Sequence, residues 1–482
     1  MQKSKIPGSP LPIRRVLRFL AVGMGALLAL GSLVGVGFVG YQNPSAIAEL
    51  PVLEEDETLP VVALAGRTVP EIPRVAEGFP TCSLSELASD PRLGSFAGIV
   101  VDAWSGEKLF GRDAGEGLAP ASVLKTITAA AALTALGPEQ TFVTEVRQGT
   151  ESDTVFLVAG GDPTLRAKRS ETESVYIGAA SMTDLAEQTI AALSTQTEGG
   201  DSTITELVVD ASLWDVEDTW DETWADSARS RGFLSRVSPL QVDGDRRDPG
   251  VAMSPRGNDP ARRAAEAFVS ELRQAGNTAR FVSIRYASAD AEASVLATVE
   301  SRPVRELVTY MLKESDNTLA EVLARHVSLA VGLGGAQSTV GEALTQVLSP
   351  YGIDAEGVFI RDGSGLSAAN QVTPDYVAQV LLEVMRNDGS LGELREALPI
   401  AGVDGSLDDR FSGENIVVTA RVQAKTGSIT GTRALAGFIQ GEDDTDFVFA
   451  FFATGEVGDD ARTALETVVA GVYSCGANLA DF

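Results

Sequence analysis

The run Ile127-Thr128-Ala129-Ala130-Ala131-Ala132-Leu133 is apolar on nearly every side of a helix, so a chain that folds it as a helix must cover it all round. Just before it stands Ala121-Ser122-Val123-Leu124-Lys125-Thr126, which puts a lysine at the mouth of that buried element. Residues i and i+3 of a helix share a face, so Ser122 and Lys125 bring a hydroxyl and an amine within hydrogen-bond reach. Serine is a weak nucleophile until a base takes its proton. Burial lowers a lysine pKa, and a helix N-terminus favours both a neutral lysine and a developing oxyanion. The segment therefore predicts a buried central helix that carries a serine nucleophile and its lysine base.

The spacing alone is weak, because Ser105-Gly106-Glu107-Lys108 repeats it in a hairpin turn between the strand-like runs Ala97–Asp102 and Lys108–Gly111. Two later motifs separate the copies. Ser315-Asp316-Asn317 reads as a helix cap, since Ser and Asn cap well, or as a proton relay at Ser315 with a substrate-orienting amide at Asn317. Lys425-Thr426-Gly427-Ser428 reads as a loop, or as a carboxylate site on a strand edge whose glycine admits close backbone approach by a ligand. Ser-x-x-Lys, Ser-Asp-Asn and Lys-Thr-Gly in this order form the set found in class A β-lactamases and penicillin-binding proteins.

From about residue 82 to the C-terminus the chain resembles the class C penicillin-binding proteins, the D-alanyl-D-alanine carboxypeptidase/endopeptidase family. Gly160-Gly161-Asp162-Pro163-Thr164-Leu165, Asp362-Gly363-Ser364-Gly365-Leu366-Ser367, Gly402-Val403-Asp404-Gly405-Ser406-Leu407 and Lys425 through Gly437 look like that family's signature stretches. Ser428 departs from the more usual threonine but keeps the hydroxyl. The resemblance implies an α/β fold: a transpeptidase/β-lactamase-like domain with an antiparallel sheet flanked by helices, assembled from residues 82–143 and 297–482. A mixed α/β domain, 144–296, would be inserted in the 190-residue interval between Lys125 and Ser315. Ser122 would be acylated by a peptidoglycan stem peptide, with Lys125 as base, Ser315 as relay and Asn317 on the peptide amide. Lys425, Thr426 and Ser428 would receive the carboxylate, and the backbone N–H groups of Ser122 and Ser428 would form the oxyanion hole. β-Lactams would trap the same serine as covalent inhibitors. No cofactor or metal is implied. The rivals are a β-lactamase, for which no deacylating carboxylate motif is evident, and a catalytically idle scaffold protein.

Net charge and exports narrow the setting. The chain carries a formal charge of −29, and Lys3, Lys5, Arg14, Arg15 and Arg18 are the only charges before its first long apolar run. So acidic a surface repels phosphates and argues against a nucleic-acid partner. Phe19–Val39 gives 21 residues without a charge, enough to cross a bilayer, and the basic residues 1–18 would stay in the cytoplasm. Residues 19–39 are thus a transmembrane anchor or signal segment, with Ala46-Ile47-Ala48 as a cleavage site if the chain is secreted. Residues 40–80, with six prolines and Glu54-Glu55-Asp56-Glu57, read as a disordered linker. In the oxidising compartment outside, Cys82 and Cys475 can pair, a closure of roughly 5 kcal/mol, or remain two buried thiols.

The single histidine, His326, excludes a histidine-rich zinc site and would have to be the base of any Ser-His-Asp hydrolase. It reads as an ordinary helix residue, which leaves a lysine as base. Other elements legible from periodicity are strands at 154–158, 206–210, 279–285, 436–439 and 447–452, and helices at 182–193, 261–272, from Pro303 into the second motif, and 459–473. Trp214 to Gly257 has no clear period.

Overall fold

The computed structural model describes residues 82–170, 174–196, 203–215, 217–387 and 389–480. The basic N-terminus, the apolar run 19–39, the cleavage site and the linker 40–80 lie outside the described residues. Among the described residues no helix is long and apolar enough to cross a membrane.

In chain order, β1 (Ser95–Asp102) and β2 (Lys108–Arg112) form the expected hairpin, and α1 (Leu124–Ala135) follows. Then come β3 (Val143–Gln148), β4 (Thr154–Val158), α2 (Met182–Gln196), β5 (Glu206–Asp210), α3 (Pro260–Ala275), β6 (Ser283–Tyr286) and β7 (Val295–Glu300). Four helices follow, α4 (Val304–Glu314), α5 (Asn317–Ala330), α6 (Val340–Leu348) and α7 (Pro374–Arg386). The chain closes with β8 (Val422–Ile429), β9 (Thr432–Gln440), β10 (Asp446–Thr454) and α8 (Asp460–Cys475).

The first sheet has the order β2-β1-β10-β9-β8 and is antiparallel throughout. Its central strand β10 is apolar on both faces because both are covered. Val448, Ala450 and Phe452 enter the core that holds α1 and α4 to α7, while Phe447, Phe449 and Phe451 enter the one that holds α8, the alternation a pleated strand imposes. The second sheet, β6-β5-β4-β3-β7, mixes parallel pairs at β4/β5 and β5/β6 with antiparallel ones at β3/β4 and β3/β7. Cys82 and Cys475 form a disulfide, and beside it Cys82 N donates to Asn478 O at 3.1 Å and Ala480 N to Cys82 O at 3.0 Å.

Every residue of α1 from Leu124 to Leu133 is buried, lysine included. The helix from Pro303 reaches the second motif and stops there at Glu314: Ser315 adopts a left-handed conformation (φ 56°), and α5 starts afresh at Asn317. One expectation needs correction. The strand expected at 279–285 begins only at Ser283, with Phe281 exposed ahead of it. β3, β7, α6 and α7 were not legible from periodicity.

Candidate active site

Ser122 sits on the 3-10 turn Ala121–Val123 that leads into α1, and Ala121 before it is left-handed at φ 47°. Lys125 is fully buried one turn on. Its Nζ donates to Ser122 Oγ at 3.0 Å, to Asn317 Oδ1 at 2.6 Å and to Ser364 O at 2.6 Å. Burial pushes the Lys125 amine down to about 8, against the opposing pull of Asp362, Glu321 and Asp316. Two of its three partners can only accept. A neutral amine that keeps both bonds therefore has its lone pair facing Ser122 Oγ.

Ser364 belongs to a loop turned inside the protein. Asp362 accepts from Gly365 N at 2.9 Å and Ser367 N at 2.7 Å, and from Trp224 Nε1 at 2.8 Å. Gly365 is needed here, because a Cβ would lie 1.9 Å from Ala121 O and break the fit of this loop to the serine turn.

The second motif serves as cap and as site at once. Asp316, not Ser315 or Asn317, caps α5, accepting from Leu319 N at 3.0 Å through Oδ1. Its Oδ2 takes Arg246 Nη2 at 2.7 Å and the Tyr176 hydroxyl at 2.9 Å. Burial raises this carboxyl, but Arg246 and Arg256 outweigh it and hold Asp316 below the ordinary carboxylate range. Asn317 is engaged at both ends: Oδ1 accepts from Lys125 and Nδ2 donates to Phe233 O at 2.9 Å. Its first task here is therefore to hold Lys125, and a substrate amide would compete with Phe233 for it.

The third motif lies on β8, the edge of the first sheet. Gly427 does provide close approach, but to the protein: a Cβ would lie 2.7 Å from Pro120 O and 3.1 Å from Ala121 Cβ. The glycine thus lets the strand press against the serine turn. Lys425 is fully buried behind it, donating to Thr426 O at 2.9 Å, and no ion pair to a carboxylate forms among the described residues. Burial, then the charge of Lys125, lowers its pKa well below the ordinary lysine value.

A cavity of about 720 Å³ gathers Ser122, Ser315, Asn317, Thr426 and Ser428 on its walls. Lys125 and Lys425 stand behind those walls. Sequence reasoning missed the cavity's charge: Arg231, Arg246, Arg256, Arg433 and Arg462 line it, against Glu314 and Asp316. Arg462 Nη2 reaches Ser428 Oγ at 3.4 Å. Asp459 pairs with both Arg433, at 3.0 Å, and Arg462, at 3.4 Å, yet the arginines still outnumber these carboxylates, and that excess in a chain of charge −29 favours an anionic ligand. The five arginines come from scattered segments and form no motif.

His326 is buried on α5, stacked on Phe142 at 3.7 Å, with Nε2 3.1 Å from Gly161 O. Burial pushes its pKa down to about 4. It joins the Gly160–Leu165 stretch to α5, and it does not line the cavity. Asp162 of that stretch is buried as well, its Oδ1 taken by Thr164 N at 2.7 Å and Thr164 Oγ1 at 2.6 Å. Ser105 donates to Asp102 Oδ1 at 2.8 Å in its hairpin turn, as a turn serine does.

A family model described as the D-Ala-D-Ala carboxypeptidase 3 (S13) family matches residues 81–257 and 240–473. The chain is 32% identical over 464 residues to carboxypeptidase DacB of Mycolicibacterium smegmatis, covering 95% of this chain and 97% of the relative. It is 28% identical over 520 residues to a D-alanyl-D-alanine carboxypeptidase of an Actinomadura species, covering 89% and 90%. Penicillin binding protein 4 of Haemophilus influenzae shares the fold, with a TM-score of 0.66 at 22% identity over 81% of this chain and 98% of that one.

Proposed function

The chain belongs to the D-Ala-D-Ala carboxypeptidase 3 (S13) family, and on that footing we propose how its residues share the work. The protein is a penicillin-binding protein, a serine-type D-alanyl-D-alanine carboxypeptidase acting on peptidoglycan stem peptides through an acyl-enzyme. The observation that carries the assignment of Ser122 and Lys125 is the buried amine held by Asn317 Oδ1 and Ser364 O with its remaining position 3.0 Å from Ser122 Oγ.

A pKa of about 8 leaves roughly a tenth of Lys125 neutral at pH 7. The neutral amine takes the Ser122 proton as Oγ attacks the penultimate D-Ala carbonyl. Backbone N–H groups of Ser122 and Ser428 stabilise the oxyanion, by roughly 3–4 kcal/mol per donor. Ser315 gives its proton to the leaving nitrogen and takes the one held by the Lys125 ammonium in its place, so that terminal D-Ala departs and Lys125 is neutral again. Thr426 and Ser428 hold its carboxylate, backed by the unpaired Lys425 and the field of Arg433 and Arg462. Water then hydrolyses the ester, with Lys125 again as base. Endopeptidase cleavage uses the same groups on an internal bond.

The division into a catalytic unit, 82–143 with 297–482, and an inserted domain, 144–296, is part of this reading; the second sheet, confined to Val143–Glu300, supports it. So is the anchor at 19–39, which would hold the site outside the cytoplasm where stem peptides are met. The experiment is mass spectrometry of the penicillin-treated protein with Ser122→Ala as control, alongside release of D-Ala from a D-Ala-D-Ala peptide. A stable adduct on Ser122, lost in the variant, is expected. A folded wild type without adduct or D-Ala release defeats the reading, and rapid penicillin turnover would favour a β-lactamase.

A further inference from the structure

Glu321 is a fully buried carboxylate with no part in the steps above. It lies on α5 one turn after Asn317, and residues i and i+4 of a helix share a face. Asn317 reaches Lys125 directly. Glu321 reaches it through one residue: Oε2 accepts from Gly363 N at 3.0 Å, Oε1 accepts from Ser364 N at 2.8 Å, and Ser364 O accepts from Lys125 Nζ at 2.6 Å. From the opposite side, Thr128 Oγ1 on α1 donates to Gly363 O at 2.6 Å. Gly363 is wedged against α5, where a Cβ would lie 2.5 Å from Ala324 Cβ. Both acceptors that orient the Lys125 amine are thus set by a single face of α5.

We propose that Glu321 is a positioning residue for the general base: by gripping the Gly363 and Ser364 N–H groups it aims the Ser364 carbonyl at Lys125 Nζ and turns the amine's lone pair toward Ser122 Oγ. This role rests on Lys125 being the base. An ionised carboxylate accepts most strongly with both oxygens, a protonated one keeps weaker acceptor capacity on its hydroxyl oxygen, and an amide sets an N–H donor against one of the two N–H groups. The charged groups facing this cluster are Asp362 in the same loop, Asp316 ahead of α5, Lys125 on α1 and Arg325 further along α5. Lys425 on β8 stands next to Lys125. Burial, then the charge of Asp362, raises the Glu321 carboxyl above its ordinary range, while the bonds from the Gly363 and Ser364 N–H groups pull it back toward the ionised form. That ionised form in turn favours the protonated form of Lys125.

The test is the acylation rate with a fluorescent penicillin as a function of pH, for wild type, Glu321→Gln and Thr128→Val, after the wild-type adduct has been located on Ser122. In Glu321→Gln the plateau rate is expected to fall at least about tenfold through misaimed geometry. Affinity for the non-covalent penicillin complex should change by less than about threefold. Thr128→Val loosens the same loop without a charge change, so its plateau falls. A folded Glu321→Gln with the wild-type plateau, or with its affinity for the non-covalent complex lowered as far as its plateau, overturns the proposal. Should that variant not fold, a wild-type plateau in Thr128→Val overturns it. A wild type that forms no adduct overturns the base assignment itself, a result distinct from these.

Discussion

Asp316→Asn separates charge from shape at the second motif. Asparagine caps a helix about as well as aspartate, so its single oxygen keeps the bond to Leu319 N, and the amide nitrogen in place of Oδ2 can donate to the Tyr176 hydroxyl, which turns to accept. What goes is the charge facing Arg246, in a pair at 2.7 Å whose side chains are each 3% exposed. Arg256, buried beside Arg246, loses the same counter-charge. Leaving such a guanidinium uncompensated costs about 3–5 kcal/mol. The cap and the hydroxyl bond, about 1 kcal/mol each, are largely kept, so the charge decides the outcome. Against a typical total of about 5–15 kcal/mol this is a large loss, readable by urea unfolding at pH 7. Arg246→Met in the same chain should return part of it, because the guanidinium that faced the lost charge is then gone and Arg256 loses its like-charged neighbour. A loss below about 1 kcal/mol in Asp316→Asn, or losses that simply add in the double variant, would refute the reasoning.

Gly427→Ala forces a methyl to within 2.7 Å of Pro120 O, so β8 and the serine turn must part. We expect about 1–3 kcal/mol of destabilisation by overpacking, together with slowed penicillin acylation. Reduction of Cys82–Cys475, or Cys475→Ser, should lower stability by about 2–5 kcal/mol, measured as a drop in melting temperature that reductant does not deepen in the variant. His326 has a native pKa of about 4 against an ordinary 6.5, so the unfolded chain binds its proton first as pH falls. Stability should therefore decline between pH 6.5 and 4, by about 3 kcal/mol in all from this residue, and Glu or Asp titration aside, His326→Gln should lack that decline in urea melts.

Those effects come from tertiary placement, and that is also where reading the sequence stopped. The apolar run behind Lys125, the short strands at 154–158 and 206–210, and the three motifs were legible because each is local. The hairpin decoy was separable from the true motif by its glycine turn. A helix cap at Ser315–Asn317 was legible too, but not that Asp316 is the capping side chain or that Ser315 is left-handed, since all three residue types cap and the left-handed conformation leaves no pattern. β3 and β7 are only six residues each, β3 mostly polar and β7 with its apolar residues in no strict alternation, so neither stands out. Glu321 looks like any helical glutamate until the Asp362–Ser367 loop is folded onto it. Gly427 reads as room for a ligand, and only the position of Pro120 shows what fills the space. The arginines of the cavity are distributed over a chain whose net charge points the other way.

The most direct measurement is the pH dependence of Ser122 acylation by penicillin, with the adduct located by mass spectrometry. A buried, partly neutral Lys125 predicts a rate that climbs with pH to half its plateau near about 8, on Ser122 alone. A folded protein that forms no adduct there, or whose rate follows an ordinary lysine near 10.5, would contradict the account.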